Sequence, residues 1–307
     1  MAGSAQRVLV TGMTGFTGQH LVRVLQQAGY DVHGTIRSDE TPDATHHVAD
    51  LSDIEGLHSV IAKVAPHHVV HLAAVSFVAH NDVAAIYKTN IVGTSNLLRA
   101  LSEVPEVAGT LGTVLIASSA NIYGNAPVDP ITEDQSPQPA NDYAVSKLAM
   151  EQMAALWSDK LPITIVRPFN YTGVGQSKQF LIPKIVDAFA RKLPLLELGN
   201  IDVERDFSDV RDVVQAYRWL IEASPRGTFN VCSERSCSLR EVLAMTSELS
   251  GHTIDIRVNP AFVRANEVKR LRGSTQRLRA VVPNWTSRPI RETLAWMLAG
   301  QMPVSPE

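Results

Sequence analysis

The stretch VLVTGMTGFTGQHL, residues 8–21, places three glycines between an apolar run and the start of an amphipathic segment. Gly12 permits a tight turn, Gly15 lets the backbone approach a pyrophosphate, and Gly18 allows a helix to pack closely on a strand. The first turn of the helix adds oriented N–H groups and the positive end of its dipole. We therefore predict a dinucleotide site here, the alternative being a plain strand-to-helix turn.

Short β-branched runs alternate with amphipathic stretches through the first two thirds of the chain. The predicted strands are residues 7–11, 31–35, 68–72, 113–117 and 163–167. The predicted helices are residues 15–28, 53–64, 83–101 and 142–158. This alternation predicts an α/β fold, a Rossmann-like doubly wound parallel sheet with helices on both faces. Residues 1–168 are predicted to form mainly the cofactor-binding domain. Residues 169–307 are predicted to form mainly a smaller mixed α/β substrate lobe, with some elements returning to the first domain.

Composition excludes several classes of protein. The 307 residues carry 28 basic and 31 acidic side chains, and 45% of the residues are hydrophobic. A net charge of −3 argues against a nucleic-acid partner. No apolar run approaches the ~20 residues of a membrane span, and the N-terminus lacks the apolar core of a signal peptide. Two cysteines fit a reducing compartment, and no Cys/His cluster completes a metal site. We expect a cytoplasmic enzyme that uses no metal.

The end of the second predicted strand bears on the choice of cofactor. An NAD site places an acid there for the ribose 2′-hydroxyl. In YDVHGTIRS, residues 30–38, that position has no acid and is followed by Arg37. A guanidinium suits the 2′-phosphate of NADP, so we predict NADPH/NADP, with NAD and a merely solvated arginine as the alternatives. Asp50 is a candidate for the adenine amino group, or a helix cap.

A tyrosine and a lysine share one face of the predicted helix 142–158. Tyr143 and Lys147 are four residues apart, and a nearby ammonium is expected to lower the pKa of the phenol. Such a pair gains meaning from LIASSANIYG, residues 115–124, which ends the fifth strand. That segment places Ser118 and Ser119 in a loop at the carboxyl edge of the sheet, where a hydroxyl can orient a carbonyl.

The chain resembles the extended short-chain dehydrogenase/reductase family of nucleotide-sugar epimerases, dehydratases and reductases. The motifs that carry the resemblance are TGMTGFTG, ADL at 49–51, HLAA at 71–74, Asn90 in KTNIVGTSNLL, SSANIYG, YAVSK and RPFN at 167–170. The resemblance implies a catalytic set of Ser119, Tyr143 and Lys147, and a homodimer formed through helices 83–101 and 142–158. The predicted cofactor-binding residues are Gly12, Thr14, Gly15, Phe16, Gly18, Arg37, Asp50, Leu51, Leu72, Ala73, Ala74, Tyr143 and Lys147.

The C-terminal motifs resemble the branch that contains GDP-mannose dehydratases and GDP-4-keto-6-deoxymannose reductases. The matching segments are RPFNYTGVGQ, DVERDFSDVRD and FVRANEVKRLRGS. Arg205 and Arg264 suit pyrophosphate oxygens, and Glu267 suits a guanine edge or ribose hydroxyls. Asn170 suits either the substrate or a turn cap, and Ser76 and Val78 are loop residues that need not touch the sugar. The substrate-binding residues that we predict are Ser76, Val78, Asn121, Asn170, Arg205, Arg264 and Glu267.

The reaction type is predicted from two residues, Ala120 and Asn121, that lie just before the Tyr123-Gly124 dipeptide. Dehydratases of this family carry a Glu, often preceded by an Asp, where this chain has Asn121 and Ala120. Neither of these side chains titrates near neutral pH. We therefore expect an NADPH-dependent reductase of a GDP-linked 4-keto-6-deoxy sugar, a hexose or a heptose. The alternatives are a 4-epimerase with tightly bound NAD, a 4,6-dehydratase, and a non-catalytic NADP-sensing regulator.

Overall fold

The computed structural model describes residues 5–76, 82–262 and 270–300, and its centre is a seven-stranded parallel sheet. The sheet is built from β1 (Arg7–Thr11), β2 (Asp31–Ile36), β3 (His46–Val48), β4 (His68–His71), β5 (Thr113–Ala117), β6 (Ile163–Pro168) and, later in the chain, β10 (Gly227–Val231). Their order is β10-β6-β5-β4-β1-β2-β3. This order confirms the Rossmann-like fold class. Because β4 returns to the other side of β1, the strand order reverses between these two strands, which is where such sheets bind ligands.

Helices cover both faces of this sheet. They are α1 (Phe16–Gln27), α2 (Ile54–Val64), α3 (Val83–Tyr87), a π-helix (Lys88–Gly93), α4 (Thr94–Glu103), a 3-10 helix (Ala120–Tyr123), α5 (Asp142–Ala155) and α7 (Val210–Ala223). Val8 and Val10 of β1 pack in the core shared with α1 and α7, and Leu9 packs in the core shared with α2 and α4. The apolar run of β1 is therefore buried on both sides.

The remaining elements form smaller sheets and their helices. They are β7 (Asn170–Thr172), α6 (Leu181–Ala190), β8 (Leu195–Leu198), β9 (Glu204–Asp209), β11 (Ser236–Ser238), α8 (Leu239–Ser250), β12 (Asp255–Val258), a 3-10 helix (Pro260–Phe262), β13 (Arg270–Leu271), α9 (Gln276–Val281) and α10 (Ile290–Ala299). Strand β9 lies between β11 and β13 and also pairs with β7, whereas β8 pairs with β12. A separate apolar core joins α6, α8 and α10.

The predicted elements differ from the observed ones in one important place. The stretch 83–101 is a chain of three helical segments, with the π-helix Lys88–Gly93 in the middle, rather than one α-helix. The other strands and helices agree with the prediction to within three residues at each end. None of the helices in the described residues is long and apolar enough to cross a membrane. Within the same residues Cys232 and Cys237 are free thiols, and no His, Cys, Asp and Glu side chains cluster as metal ligands.

Candidate active site

The phosphate turn between β1 and α1 requires glycine at two positions. Gly12 has a φ of +74°, and a Cβ added to it would lie 2.9 Å from the backbone N of Ala73. A Cβ on Gly18 would lie 2.3 Å from the carbonyl oxygen of Gly12. These distances show that the turn packs directly on the backbone that follows β4. Only a bare backbone fits here, as a dinucleotide turn requires.

The N-terminus of α1 is suited to an anion. Gly15 is its N-cap residue with extended backbone, no side chain of the described residues caps this end, and the first turn contains no acid. The first N–H groups of α1 can therefore donate to a phosphate. Phe16 stacks on the ring of Tyr171 with centroids 6.1 Å apart, and the Tyr171 hydroxyl lies 2.8 Å from Thr17 Oγ1. The residues present fit the pyrophosphate of a dinucleotide.

Arg37 lies just beyond β2, where we predicted it. Its side chain is 81% exposed, and its Nε lies 3.4 Å from Asp39 and 3.6 Å from Glu40. Glu40 also accepts hydrogen bonds from Thr14 Oγ1 and from the Arg37 backbone N, at 3.3 and 3.2 Å. Glu40 thus joins the phosphate turn to the Arg37 loop. Glu40 belongs to no motif of the sequence, because this carboxylate reaches Thr14 only through the fold.

Asp50 and Leu51 lie in the turn between β3 and α2. The Asp50 carboxylate accepts hydrogen bonds from the Ser52 backbone N and hydroxyl, both at 2.7 Å, and these bonds hold the pKa of Asp50 below its ordinary value. The N-cap of α2 is Asp53, which accepts from the N of Gly56. Asp50 therefore closes the preceding turn. A contact from Asp50 to adenine remains a prediction.

The segment after β4 is held against β1. Leu72 N donates to the Thr11 carbonyl oxygen at 3.1 Å, and Ala73 N donates to Thr11 Oγ1 at 3.3 Å. Ala74 follows, half-buried, and Ser76 is exposed at the end of the described segment. These residues line the point where the strand order reverses, and their contact with the cofactor remains a prediction. Val78 lies outside the described residues.

A buried polar network joins two residues of the family motifs, His71 and Asn90, beneath this segment. His71 lies between Thr11 Oγ1 at 2.7 Å and Thr94 Oγ1 at 2.8 Å, and burial lowers its pKa to about 3, so it is neutral. Thr94 Oγ1 donates to the carbonyl oxygen of Asn90. The Asn90 side chain in turn bonds the N and O of Val75 and donates to the Ser146 hydroxyl of α5. The network ties the cofactor edge of the sheet to the helix that carries Tyr143.

Ser119, Tyr143 and Lys147 come together at the carboxyl end of β5. Ser119 caps the 3-10 helix Ala120–Tyr123, and its hydroxyl acts to lower the pKa of the Tyr143 phenol. Lys147 Nζ donates to the Ala117 carbonyl oxygen at 2.7 Å. Tyr143 and Lys147 are 8% and 4% exposed. This places a buried proton donor, a hydroxyl and an ammonium on one strand end.

Burial controls both titrating groups of this set. Desolvation raises the pKa of Tyr143 above its ordinary value, outweighing the hydrogen bond from Ser119, and nearby Tyr171 adds to the rise. The expected lowering of the phenol pKa by Lys147 is therefore not what the structure shows, because the ammonium is directed at Ala117. Burial also lowers the pKa of Lys147 to about 8, against the opposing effect of Glu151. The phenol is fully protonated at neutral pH.

Asn121 lies beside Ser119 and hydrogen-bonds it. Its backbone N and its side-chain Nδ2 both donate to Ser119 Oγ, each at 3.1 Å. Its neighbour Ala120 is buried. Neither side chain supplies the acid or base that a dehydratase of this family carries at these two positions.

The remaining predicted substrate residues lie in the smaller sheet or beyond the described part. Asn170 is exposed on β7, opposite Phe207 of β9, and half-buried Arg205 lies two residues earlier on β9. Asp206, next to Arg205, is fully buried and accepts from the Ser233 N and hydroxyl at 2.7 and 2.6 Å. Asp206 is therefore a structural residue. Arg264 and Glu267 lie outside the described residues.

Arg167 of the RPFN motif is the centre of a second buried polar group. Its guanidinium binds both carboxylate oxygens of Glu151 on α5, at 3.0 and 2.6 Å, and donates to the Tyr123 hydroxyl at 2.9 Å. Tyr123 in turn donates to Asn230 of β10. These bonds fix α5 and the 3-10 helix after Ser119 to β6 and β10. The motif thus serves the placement of the catalytic segments.

Comparison with known proteins supports the same family. Residues 9–295 match the family described as GDP-mannose 4,6 dehydratase. The chain is 35% identical over 280 residues to GDP-6-deoxy-D-talose 4-dehydrogenase of Aggregatibacter actinomycetemcomitans, covering 91% of this chain and 92% of the relative. It is also 35% identical over 318 residues to GDP-6-deoxy-D-mannose reductase of Pseudomonas aeruginosa, covering 94% and 99%.

Two solved structures share the fold over nearly the full length. One is a Burkholderia cenocepacia protein that bears the provisional name of an epimerase, with a TM-score of 0.90, 51% identity and coverage of 97% and 99%. The other is RMD of Pseudomonas aeruginosa complexed with NADPH, with a TM-score of 0.84, 33% identity and the same coverage. With the site geometry and the family match in agreement, the chain belongs to the GDP-mannose 4,6 dehydratase family of extended short-chain dehydrogenases/reductases.

Proposed function

We propose that this enzyme is an NADPH-dependent reductase acting on C4 of a GDP-linked 4-keto-6-deoxy sugar. The observation that carries the proposal is the site at the end of β5. Ser119 and the protonated Tyr143 are buried together there, whereas Asn121 and Ala120 stand where a dehydratase needs titrating side chains. Such a site can protonate an alkoxide but offers no separate acid and base for removing water from the sugar.

The chain's own residues have distinct tasks in this reaction. Tyr143 gives its proton to the oxygen that becomes the C4 hydroxyl, and Ser119 donates a hydrogen bond to the same oxygen as negative charge develops. Lys147, whose ammonium is fixed on Ala117, holds the cofactor ribose and keeps positive charge near the phenol. Burial of all three excludes water and strengthens these interactions.

The cofactor proposed is NADPH, which when bound supplies the hydride. Gly12, Gly15, Gly18 and the N–H groups at the start of α1 would hold the pyrophosphate, and Arg37 the 2′-phosphate. Thr14, Phe16, Asp50, Leu51 and the segment 72–74 complete the proposed site. The Pseudomonas relative complexed with NADPH supports this choice.

The substrate is proposed from the names of the two relatives. Both act on GDP-6-deoxyhexoses, one named for a 6-deoxytalose and the other for a 6-deoxymannose, and these sugars differ in configuration at C4. One 4-keto sugar therefore connects both activities. Ser76, Val78 and Asn170 would face the sugar, whereas Arg205, Arg264 and Glu267 would bind the GDP part.

The test is a coupled assay followed by mass spectrometry of the GDP-sugars. The purified enzyme should leave GDP-mannose unchanged when NADPH alone is added, and should oxidise NADPH once a separate dehydratase has made the 4-keto-6-deoxy sugar. Tyr143→Phe is the inactive control, because it keeps the ring and deletes only the transferable proton. Loss of water from GDP-mannose with this enzyme alone would contradict the proposal, and so would an unchanged NADPH level with the keto sugar.

The second candidate is a 4-epimerase, which the 51% identity to the Burkholderia protein favours. An epimerase oxidises and re-reduces the same carbon, so it retains its dinucleotide through the cycle. Tightly bound NAD released on denaturation, with no consumption of added NADPH, would support this reading. A GDP-sugar interconverted without net redox change would confirm it.

The assembly proposed is a homodimer in the cytoplasm, formed through α3, the π-helix and α4 together with α5. These helices lie side by side, and they carry the exposed apolar side chains Val83, Val92, Val145 and, just after α5, Leu156. We further propose that residues 1–168 form most of the cofactor domain and residues 169–307 most of the substrate lobe. The return of β10 to the edge of the large sheet supports an exchange of elements between them.

A further inference from the structure

Asn121 makes two hydrogen bonds to Ser119. Both donors of Asn121, the backbone N and the side-chain Nδ2, point at the same oxygen, Ser119 Oγ, at 3.1 Å each. Asn121 is the second residue of the 3-10 helix that Ser119 caps, so both residues are fixed by one short element. Two donors on one hydroxyl oxygen constrain what that hydroxyl can do.

A serine hydroxyl has one proton to donate and two lone pairs that accept. Asn121 occupies both lone pairs of Ser119, so Ser119 can offer only its proton to a further partner. Ser119 and Tyr143 are both buried at the end of β5, and the Ser119 hydroxyl acts to lower the pKa of the Tyr143 phenol. The proton of Ser119 is therefore left to donate near the place where Tyr143 delivers its own proton.

We propose that Asn121 is a positioning residue that fixes Ser119 as a hydrogen-bond donor to the sugar carbonyl, an inference that rests on the proposed reductase function. A carbonyl oxygen, and still more the alkoxide formed from it, can only accept hydrogen bonds. A carboxylate at position 121 would instead accept the Ser119 proton and turn a lone pair toward the developing negative charge. The amide thus selects for carbonyl reduction as well as lacking the proton chemistry of a dehydratase.

The test is a double-mutant cycle on the full-length enzyme, with NADPH oxidation measured on GDP-4-keto-6-deoxymannose supplied by a dehydratase. Asn121→Asp keeps the size and backbone N but replaces the side-chain donor with an acceptor. We expect kcat at pH 8 to fall on the order of 100-fold, as for loss of one oxyanion donor, with KM changed much less. Ser119→Ala should cost a similar factor. In the Ser119→Ala background, Asn121→Asp should change kcat less than about 3-fold, because there is no hydroxyl left to orient.

The pH dependence gives a readout that a purely structural role would not move. Once protonated, the carboxyl group introduced by Asn121→Asp cannot hold the Ser119 proton as the carboxylate does. The kcat of this variant relative to the unmodified enzyme should therefore rise as the pH is lowered from 8 to 5.5. Asn200→Asp is the matched control. The Asn200 side chain already acts as an acceptor, from Asp202 N, and makes no contact with Ser119, so the added charge there should leave the pH profile unchanged.

Each outcome decides the question. Multiplying effects of about 10⁴-fold in the double variant would overturn the positioning role, because independent residues add their free energies. If Asn121→Asp loses its fold or its affinity for NADPH, Asn121→Ala replaces it. That variant keeps the backbone donor and should lose about 10-fold in kcat only when Ser119 is present. An unmodified enzyme that does not reduce the keto sugar would overturn the proposed function itself.

Discussion

We expect the buried Lys147 to make the activity of this enzyme sensitive to alkaline pH. Its buried ammonium has a pKa of about 8, so it loses its charge as the pH rises through 8. We expect kcat/KM for the keto sugar to fall on an alkaline limb centred near pH 8, well below the 10.4 of an exposed lysine. The measurement is a pH profile of NADPH oxidation from pH 6 to 10.

The same shift has the opposite sign for stability. Because the folded pKa lies below the unfolded one, the unfolded chain binds the extra proton, and the cost of burying Lys147 is fully present below pH 8 and relieved toward pH 10.5. Activity should therefore decline over the same pH range in which the free energy of unfolding rises, because the cost of burying Lys147 is being relieved. If the residual activity of Lys147→Met keeps the same limb near pH 8, another group causes it.

Arg37 is predicted to distinguish NADPH from NADH. Its exposed guanidinium now lies near Asp39 and Glu40 and is free to turn to a 2′-phosphate. Losing a charge-assisted contact costs roughly 1.5–3 kcal/mol, so Arg37→Ala should weaken NADPH about 10- to 150-fold and leave NADH nearly unchanged. Fluorescence titration with both cofactors measures this.

The control for that titration is Arg99→Ala, which removes a comparably exposed arginine paired with Glu103 on α4. It should alter neither cofactor's affinity. Equal losses of affinity for NADPH and for NADH in Arg37→Ala would mean that this side chain supports the loop and does not bind the 2′-phosphate.

At the residue scale, the sequence pointed to the side chains proposed to carry the chemistry but not to the ones that hold them. Tyr143 and Lys147 were visible because helical spacing alone places them on one face. Glu40 accepts hydrogen bonds from both Thr14 and Arg37, and His71 contacts Thr94. Such contacts depend on which segments the fold brings together. The raised pKa of Tyr143 was missed for the same reason, since burial is a tertiary property.

The phosphate turn is the element whose geometry leaves least freedom. A Cβ on Gly18 would lie 2.3 and 2.6 Å from the carbonyl oxygens of Gly12 and Met13, which are backbone atoms and cannot yield without moving the turn. We expect Gly18→Ala to cost about 1–3 kcal/mol in unfolding free energy and to abolish tight NADPH binding. Thermal unfolding with and without NADPH measures both effects.

Gly29→Asn is the matched control for that substitution. Gly29 also lies at an end of α1, with a φ of +86° that asparagine tolerates, but no atom lies within 4 Å of its added Cβ. The variant should retain its NADPH-induced rise in Tm. A Gly18→Ala enzyme with the same rise would show that the turn can open without losing the cofactor.

Element boundaries were predictable where the hydrophobic pattern of the sequence changes. They were not predictable where only the backbone hydrogen bonding changes. The strands around VLV and TVLIA agree with their predictions, because buried strands end where the apolar run ends. The π-helix Lys88–Gly93 leaves no such mark, since an extra residue in one helical turn preserves the amphipathic pattern on both sides. Its location matters, because it contains Asn90 and so places the amide that holds Val75 and Ser146.

At the scale of the whole molecule, the large sheet and the smaller sheets meet at the cofactor edge. Tyr171 of β7 stacks on Phe16 of α1, and His20 of α1 lies 2.9 Å from the carbonyl oxygen of Val174. The helix that begins at the phosphate turn therefore also supports β7, the strand that contains Asn170. A dinucleotide bound at this turn and a sugar bound near β7 would lie against the same packed pair of elements, α1 and β7. This arrangement suits direct hydride transfer between them.

The proposed dimer is tested on the surface formed by α3, the π-helix, α4 and α5. In the described residues, four of the nine exposed large apolar side chains are Val83, Val92, Val145 and Leu156, and Leu156 is 82% exposed. In a two-fold assembly each side chain would enter the interface twice, so one charge per subunit becomes a pair of desolvated charges. We expect the double variant Val92→Glu/Leu156→Glu to sediment as a monomer of 33.5 kDa, and the unmodified chain at twice that mass. Val258→Glu, at a comparably exposed valine on β12, should remain a dimer. A Val92→Glu/Leu156→Glu protein that stays dimeric while folded would place the interface on another surface.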